Sequence, residues 1–241
     1  MPASPSTPSA PSWAKQEHAL LDRAAHSQNF HVRIEEATTG LVVPRSYRGH
    51  TRFAEAQARF AANSQPVHVR LSGGGLVPQA AGVVNLHLAY PVCTHEPLAV
   101  AEHHYQLLCQ LLGLALQSVG IRATAQAVNG SFCDGRFNLA VNGQKIAGTA
   151  QYWRRNPQHN ATQPAYTVLS HAVLLVSADT TALTTAANAF EDALNSGRRY
   201  RADKITNAAR LCGNPPQLCT TLIEALTDAT THYQPKFCHL A

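Results

Sequence analysis

No CxxC pair, no HExxH stretch and no GKS or GKT occurs in this 241-residue chain, and each absence removes a class of chemistry. Six cysteines, at 93, 109, 133, 212, 219 and 238, are scattered through a chain large enough to build a core without staples. That argues against a disulfide framework and against a structural zinc site. The thirteen histidines form no zinc-protease pair, and the neighbours His103 and His104 face different sides of one helix, so no metal site is expected. Without GKS or GKT after its glycines the chain has no P-loop, and their spacing misses the dinucleotide fingerprint. Long apolar runs are lacking too. The longest, Leu98 to Val119, is interrupted by Glu102, His103, His104 and Gln110, so it reads as a packed helix and not as a membrane span. The opening MPASPSTPSAPS has neither a positive run nor an apolar core; residues 1–12 read as a flexible tail, not a secretory signal, and the cytoplasm is the expected location. The formal charge of +5 comes from 19 basic and 14 acidic residues, and the densest basic run, Gly197 to Lys204, is short. It is too small for a nucleic-acid footprint but fits attraction of an acidic protein partner.

Residues 13–241 suffice for one domain with a proper core. WAKQEHALLDRAAHS spaces its apolar residues as a helix does, and FHVRIEE and GLVVPR follow as strands around a Thr38–Thr39–Gly40 turn. Thr51 precedes the helix RFAEAQARFAA and can cap it. PVHVRL and GVVNLHLAY are strands, and the intervening SGGGLVPQAA is neither strand nor helix. A long helix spans 98–119, with Leu98, Ala101, Tyr105, Leu108, Leu112, Ala115, Leu116 and Val119 on its apolar face and Gly120 ending it. TAQAV, FNLAV and QKIAGTAQYW follow as strands, with Asn142-Gly143 as a two-residue hairpin turn. YTVLSHAVLLVSA is a further strand, Asp179 begins a helix near 179–195, and another lies near 215–230. Strands and helices mixed without a regular period predict an α/β (α+β) fold with a mixed sheet, not a doubly wound one.

Two phrases carry the chemistry: VRLSGGGLVPQAAGVVNLHL and NGSFCDGRFNLAVNGQKIAGTAQ. Ser72, Gly73, Gly74 and Gly75 follow a strand directly. Three glycines let the backbone approach a ligand and aim amides at negative oxygens, although a tight corner would also use them. Arg70 can set a guanidinium against a carboxylate or phosphate, unless it is an ordinary surface charge. Asn85, on the next strand, can fix the loop through its amide. Lys145, followed by Ile146, Ala147 and Gly148, can reach into a pocket and stabilise oxygen charge during acyl transfer; a solvated lysine is the plain alternative. Cys133, in a turn twelve residues before Lys145, can hold an acyl group as a thioester, whereas Cys109 fits a buried spectator. A neighbouring cation would favour the thiolate. His171 is either a ligand contact or a hydrogen-bonded core histidine, and Asp134 reads as a turn residue.

From Trp13 to at least Thr206, these phrases together with HAVLLVSAD resemble the catalytic domain of the biotin/lipoate protein ligase and octanoyltransferase superfamily. The resemblance implies a mixed α/β sheet domain. It makes Ser72–Gly75 the lipoyl-binding loop, Lys145 the lysine at the acyl carbonyl and activated phosphate, and His171 part of the histidine-bearing strand. Lipoate ligases in this superfamily use ATP and magnesium; octanoyl and lipoyl transferases use neither and pass the acyl group through a cysteine. GSFCDGRFNLAVNGQKIAGTAQ is similar to the transferase phrase with its nucleophile at Cys133, although Asp134 replaces a proline. Asn138 stands where the ligases carry an aspartate near the nucleotide and its magnesium, and Asn lacks the charge a hard cation wants. Only 37 residues follow Lys204, so the accessory C-terminal domain of many ligases is expected to be absent.

The implied function is octanoyl or lipoyl transfer to a carrier-protein lysine, with Cys133 and Lys145 as catalytic residues. Arg70, Ser72, Gly73, Gly74, Gly75, Asn85, Asn138, Gly148 and His171 would shape the substrate site. No cofactor is required in this reading, while ATP and Mg belong to the alternative of a lipoate-protein ligase. A non-catalytic protein that binds the lipoyl carrier or senses its ligand is a third reading. The implied partners are lipoyl-carrier domains, such as a glycine-cleavage H-like protein or the E2 lipoyl domains of 2-oxoacid dehydrogenases. Neither nucleic acid nor membrane is expected, and the oligomeric state is left open.

Overall fold

The computed structural model describes residues 12–156 and 164–232; apart from Ser12, the tail expected over residues 1–12 lies outside them, as does Cys238. In chain order the elements begin with α1 (Trp13–Ser27), β1 (His31–Glu36), β2 (Gly40–Pro44), α2 (Phe53–Ala62), β3 (Val67–Arg70), β4 (Val77–Gln79) and β5 (Val83–Cys93). There follow α3 (Pro97–Ser118), β6 (Thr124–Ala125), β7 (Leu139–Val141), β8 (Gln144–Asn156), β9 (Ala165–Leu175), α4 (Thr180–Leu194), α5 (Ala208–Cys212) and α6 (Leu218–His232). One sheet of six strands runs β1-β5-β9-β8-β7-β6, antiparallel throughout. A second sheet of three, β3-β2-β4, pairs β2 parallel with β3 and antiparallel with β4, which makes the fold a mixed α/β one.

Strand alternation divides the core. On one face of β5 and β9, Leu86, Leu88, Tyr90, Val168, Ala172 and Leu174 pack under α3 and α6. The other face sends Ala89 and Leu169 to α1, where Leu20, Leu21 and Ala24 meet them together with Leu71, just beyond β3. Both faces of the central strands are therefore buried, and the acyl-site residues expected from sequence lie on the α1 side.

Four local expectations need correction. The apolar stripe of α3 is Leu107, Leu108, Leu111, Leu112, Ala115 and Leu116, with His104, while Leu98 in the first turn is 91% exposed. The segment after the glycines does hold a strand, β4, whose Pro78 is tolerated because β4 is an edge. Thr51 does not cap α2. A 3-10 turn at Arg45–Gly49 leads into that helix, and the amide of Phe53 bonds the His50 carbonyl, so the backbone supplies the start that a hydroxyl was expected to give. Cys93, at the end of β5, is disulfide-bonded, a single bond where the scattered cysteines argued against a disulfide framework. Two other signals hold in the structure: Asp179 accepts amide bonds from Thr181 and Ala182 as the cap of α4, and Asn142-Gly143, at φ 51 and 74, turns β7 into β8. Among the described residues no helix is long and apolar enough to cross a membrane.

Candidate functional site

β3 delivers Arg70 to the space between the two sheets, where the residue is 2% exposed. Buried there, its guanidinium needs several acceptors, and the loop supplies them. Nε donates to Ser72 Oγ at 3.0 Å, and one terminal nitrogen donates to the carbonyls of Gly73 at 2.8 Å and Gly75 at 2.7 Å. The other reaches the Val42 carbonyl at 3.2 Å on β2. The arginine thus spends most of its donors on the curve of its own loop. Asn85, expected to hold that loop, instead bonds Gln79 at 2.8 Å and ties β5 to β4.

The curve wraps around Cys133. The Gly75 amide donates to Cys133 Sγ at 3.3 Å, and an Arg70 terminal nitrogen stands 3.9 Å from the same sulfur. Cys133 itself has φ 52, left-handed backbone that a non-glycine residue adopts only when its surroundings hold it there. What holds it is Lys145. This side chain is fully buried, and its Nζ donates to the carbonyls of Phe132 at 2.7 Å and Cys133 at 2.9 Å. Asn138 adds a third bond, from Nδ2 to the Cys133 carbonyl at 3.2 Å.

Burial pushes the Cys133 thiol up, but the Lys145 ammonium, then the Arg70 guanidinium and the Gly75 amide, outweigh it and hold the group below its usual range. Burial also pulls Lys145 down to about 8, against the opposing pull of Cys133 and Asp134. The site therefore eases formation of the thiolate, beside a lysine whose own proton is held less tightly than usual.

Glycines make this packing possible at three points. A Cβ on Gly74, whose φ is +98, would stand 2.7 Å from Cys133 Sγ, and one on Gly148 would stand 2.7 Å from Lys145 Nζ. One on Gly75 would come within 3.2 Å of the Cys133 backbone, whereas one on Gly73 would meet nothing within 4 Å. Gly74→Ala is accordingly expected to cost about 1–2 kcal/mol of stability through its left-handed φ, read as a lower melting temperature. It should also slow alkylation of Cys133 by about 10-fold, because the displaced sulfur loses its amide and guanidinium partners. Gly73→Ala should do neither.

A slot opens beside the sulfur, lined by the apolar side chains of Val42, Val77 and Val173 together with Cys133 and Lys145. Its free room is about 30 Å³, so a chain entering it must part the walls. Trp13, from α1, and the imidazoles of His87 and His171 line it as well. Ser72 Oγ and His171 Nε2 lie 2.8 Å apart, and His171 Nδ1 is 3.5 Å from Glu17 Oε1. A surface groove of about 420 Å³ approaches Cys133 from the side of Gly74, Gly75, Arg198 and Arg199. Part of the basic run thus borders the mouth, although Arg199 is paired with Asp192 and Arg201 with Asp203.

Sequence reasoning missed Glu17, His87 and Gln79. Glu17 sits among solvated residues of α1, and its fate becomes legible only through Trp13, four residues earlier, whose Nε1 donates to it at 3.0 Å. Glu17 Oε2 accepts the Leu71 amide at 2.7 Å, at 0% exposure. Among the described residues Glu17, His87 and His171 also place donor atoms within 4.8 Å of one another, a grouping that spacing along the chain did not reveal.

Residues 17–230 match the lipoyl protein ligase A/B catalytic domain. An uncharacterized protein of Cupriavidus necator is 49% identical over 199 residues, covering 80% of this chain and 78% of its own length. An octanoyl-GcvH:protein N-octanoyltransferase of Kyrpidia tusciae is 35% identical over 148 residues, which is 61% of this chain but 50% of that relative. This chain therefore aligns with half of the transferase's length. Among solved structures, protein Ta0514 of T. acidophilum with bound lipoic acid superposes with a TM-score of 0.59 at 15% identity, over 92% of this chain and 83% of its own. Lipoate-protein ligase A bound with ATP gives 0.59 at 14% identity, over 92% and 83%. At such identities the structures show a shared fold, and relatives carrying ligase and transferase names both occur.

Proposed function

We propose, from the premise that the chain belongs to the lipoyl protein ligase A/B catalytic domain family, that it transfers an octanoyl or lipoyl group to a carrier-protein lysine through a thioester on Cys133. The single observation that carries this reading is the sulfur of Cys133, held by the Gly75 amide and by Arg70, in one cavity with the fully buried Lys145. A structural cysteine would need no such cradle.

In this reading the Cys133 thiolate attacks the carbonyl of the donor, and the donor's amine or thiol departs with a proton. Lys145 has three N–H groups and spends two on carbonyls, leaving one for the oxygen that gains charge. With its pKa pulled to about 8, the same ammonium can give the leaving group its proton and recover one from the incoming amine. The acceptor lysine then displaces the sulfur and restores the thiolate. An acyl chain that parts the apolar walls of the slot gains about 0.8 kcal/mol per buried methylene.

Carriers of the H-protein type are proposed partners by analogy with the name of the Kyrpidia relative, and E2 lipoyl domains by analogy with the bipartite lipoate protein ligase of Thermoplasma acidophilum and its E2 lipoyl domain. The groove beside Arg198 offers a route for their lysine. Asn138 supports the ATP-free reading, since its amide is already bonded to the Cys133 carbonyl and carries no charge for magnesium. Intact-mass analysis after incubation with an octanoylated or lipoylated carrier is expected to show a gain of one acyl group on the protein. Acylation of the acceptor only from free lipoate with ATP and magnesium, with no adduct, would select the ligase reading instead.

A further inference from the structure

His87 lies on β5 directly opposite His171 on β9, and both imidazoles face the floor of the slot. At 1% exposure, His87 has no hydrogen-bond partner on either ring nitrogen. Buried polar groups of this kind nearly always have one. Its neighbours could complete a ligand set: Glu17 Oε1 and His171 Nδ1 lie 3.5 Å apart beside it, a contact an ion would replace, and each residue is anchored elsewhere as well. Glu17 accepts from the Trp13 indole and the Leu71 amide, and His171 Nε2 bonds Ser72 Oγ, which Arg70 holds in place. Metal-bound histidines are typically oriented by such a bond from the other ring nitrogen.

We propose that Glu17, His87 and His171 form a site for a divalent d-block cation, zinc being the probe of choice, with the remaining coordination position facing the slot. A tetrahedral zinc with ligands at about 2.0–2.1 Å separates its donors by about 3.4 Å. Glu17 Oε1 and His171 Nδ1 stand at 3.5 Å already, and the whole set lies within 4.8 Å, so the donors need draw in only by about an ångström to close it. Two histidines and one carboxylate with an open position are a recurrent zinc donor set. Arg33 and Arg70 oppose any cation here, and the two imidazole nitrogens in the donor set favour a d-block ion over calcium or magnesium, which take oxygen ligands. The bound ion would tie α1 to β5 and β9 beneath the slot, a role separate from the sulfur chemistry.

The test starts from chelator-treated full-length protein titrated with zinc and with cobalt(II). One equivalent should bind, the cobalt form should show tetrahedral d–d bands without a thiolate charge-transfer band, and zinc should raise the melting temperature. His87→Leu and Glu17→Gln should each weaken binding by about 100-fold, His87→Leu filling its space without leaving a polar group unmet. Anomalous scattering from zinc-soaked wild-type crystals, with a peak between the three side chains, stands in if either variant fails to fold. No saturable binding, a thiolate band that assigns the ion to Cys133, equal affinity in the variants, or no anomalous peak would overturn the proposal.

Discussion

Cys133→Ala is expected to lower acyl transfer to the carrier by about 10³-fold or more and to leave no acyl adduct on the protein. The size follows from the role: without the sulfur, the acceptor amine must attack the donor directly, across a site built around another nucleophile. Folding should survive, because alanine meets the same left-handed backbone at φ 52 as cysteine does. Cys133→Gly separates the two effects further. It removes the sulfur and also the Cβ that makes this conformation costly, so it should be as inactive as the alanine variant yet about 1 kcal/mol more stable. Intact mass, a carrier acylation assay and thermal melts together check all three statements. Normal transfer by Cys133→Ala would remove the covalent route.

Lys145→Met should reduce transfer by about 10²–10³-fold, the loss expected when a single donor to a developing oxyanion is removed. Its signature is in pH. The leading cation beside Cys133 disappears, so the thiolate forms at higher pH and the acidic limb of the acylation profile moves to the alkaline side. Stability changes with the opposite logic. Lys145 titrates near 8 when folded and near 10.4 when unfolded, so between these values the unfolded chain holds a proton that the folded one has released. Wild-type stability should therefore rise by about 3 kcal/mol from pH 8 to pH 10.4, with the whole penalty present below pH 8. The methionine variant should lack that rise. In Cys133→Ala the rise should begin at lower pH, because the thiolate no longer supports the ammonium. Chemical denaturation across this range measures both.

The sequence made the sulfur, the lysine and the glycine curve legible in combination and not singly. Three adjacent glycines after a strand, a cysteine in a turn and a lysine before small residues each have a plain structural reading, a corner, a spectator or a solvated charge, but together in one stretch of sequence they point to one site. The hairpin at Asn142-Gly143 and the cap at Asp179 are legible for another reason, since few residues serve those backbone geometries. Glu17 and His87 stayed hidden. An acid in a helix of mixed polarity reads as solvated, and a histidine within an alternating strand reads as either face. Only the register that sets His87 against His171, and the approach of α1 across them, turns both into parts of one floor. Leu98 and Thr51 misled for the converse reason, a local preference overridden by where the neighbouring turns lay.

The Arg70 guanidinium, already bound to Ser72, Gly73, Gly75 and Val42, has no freedom to swing when a donor arrives. Its electric field at the sulfur is in place before the reaction begins, and little solvent or side-chain reorganisation remains to be supplied as charge moves. Shielded from mobile ions, that field is also nearly blind to ionic strength. Added salt should consequently weaken the encounter between the basic exterior and an acidic carrier, while the turnover of a carrier already docked proceeds unaltered.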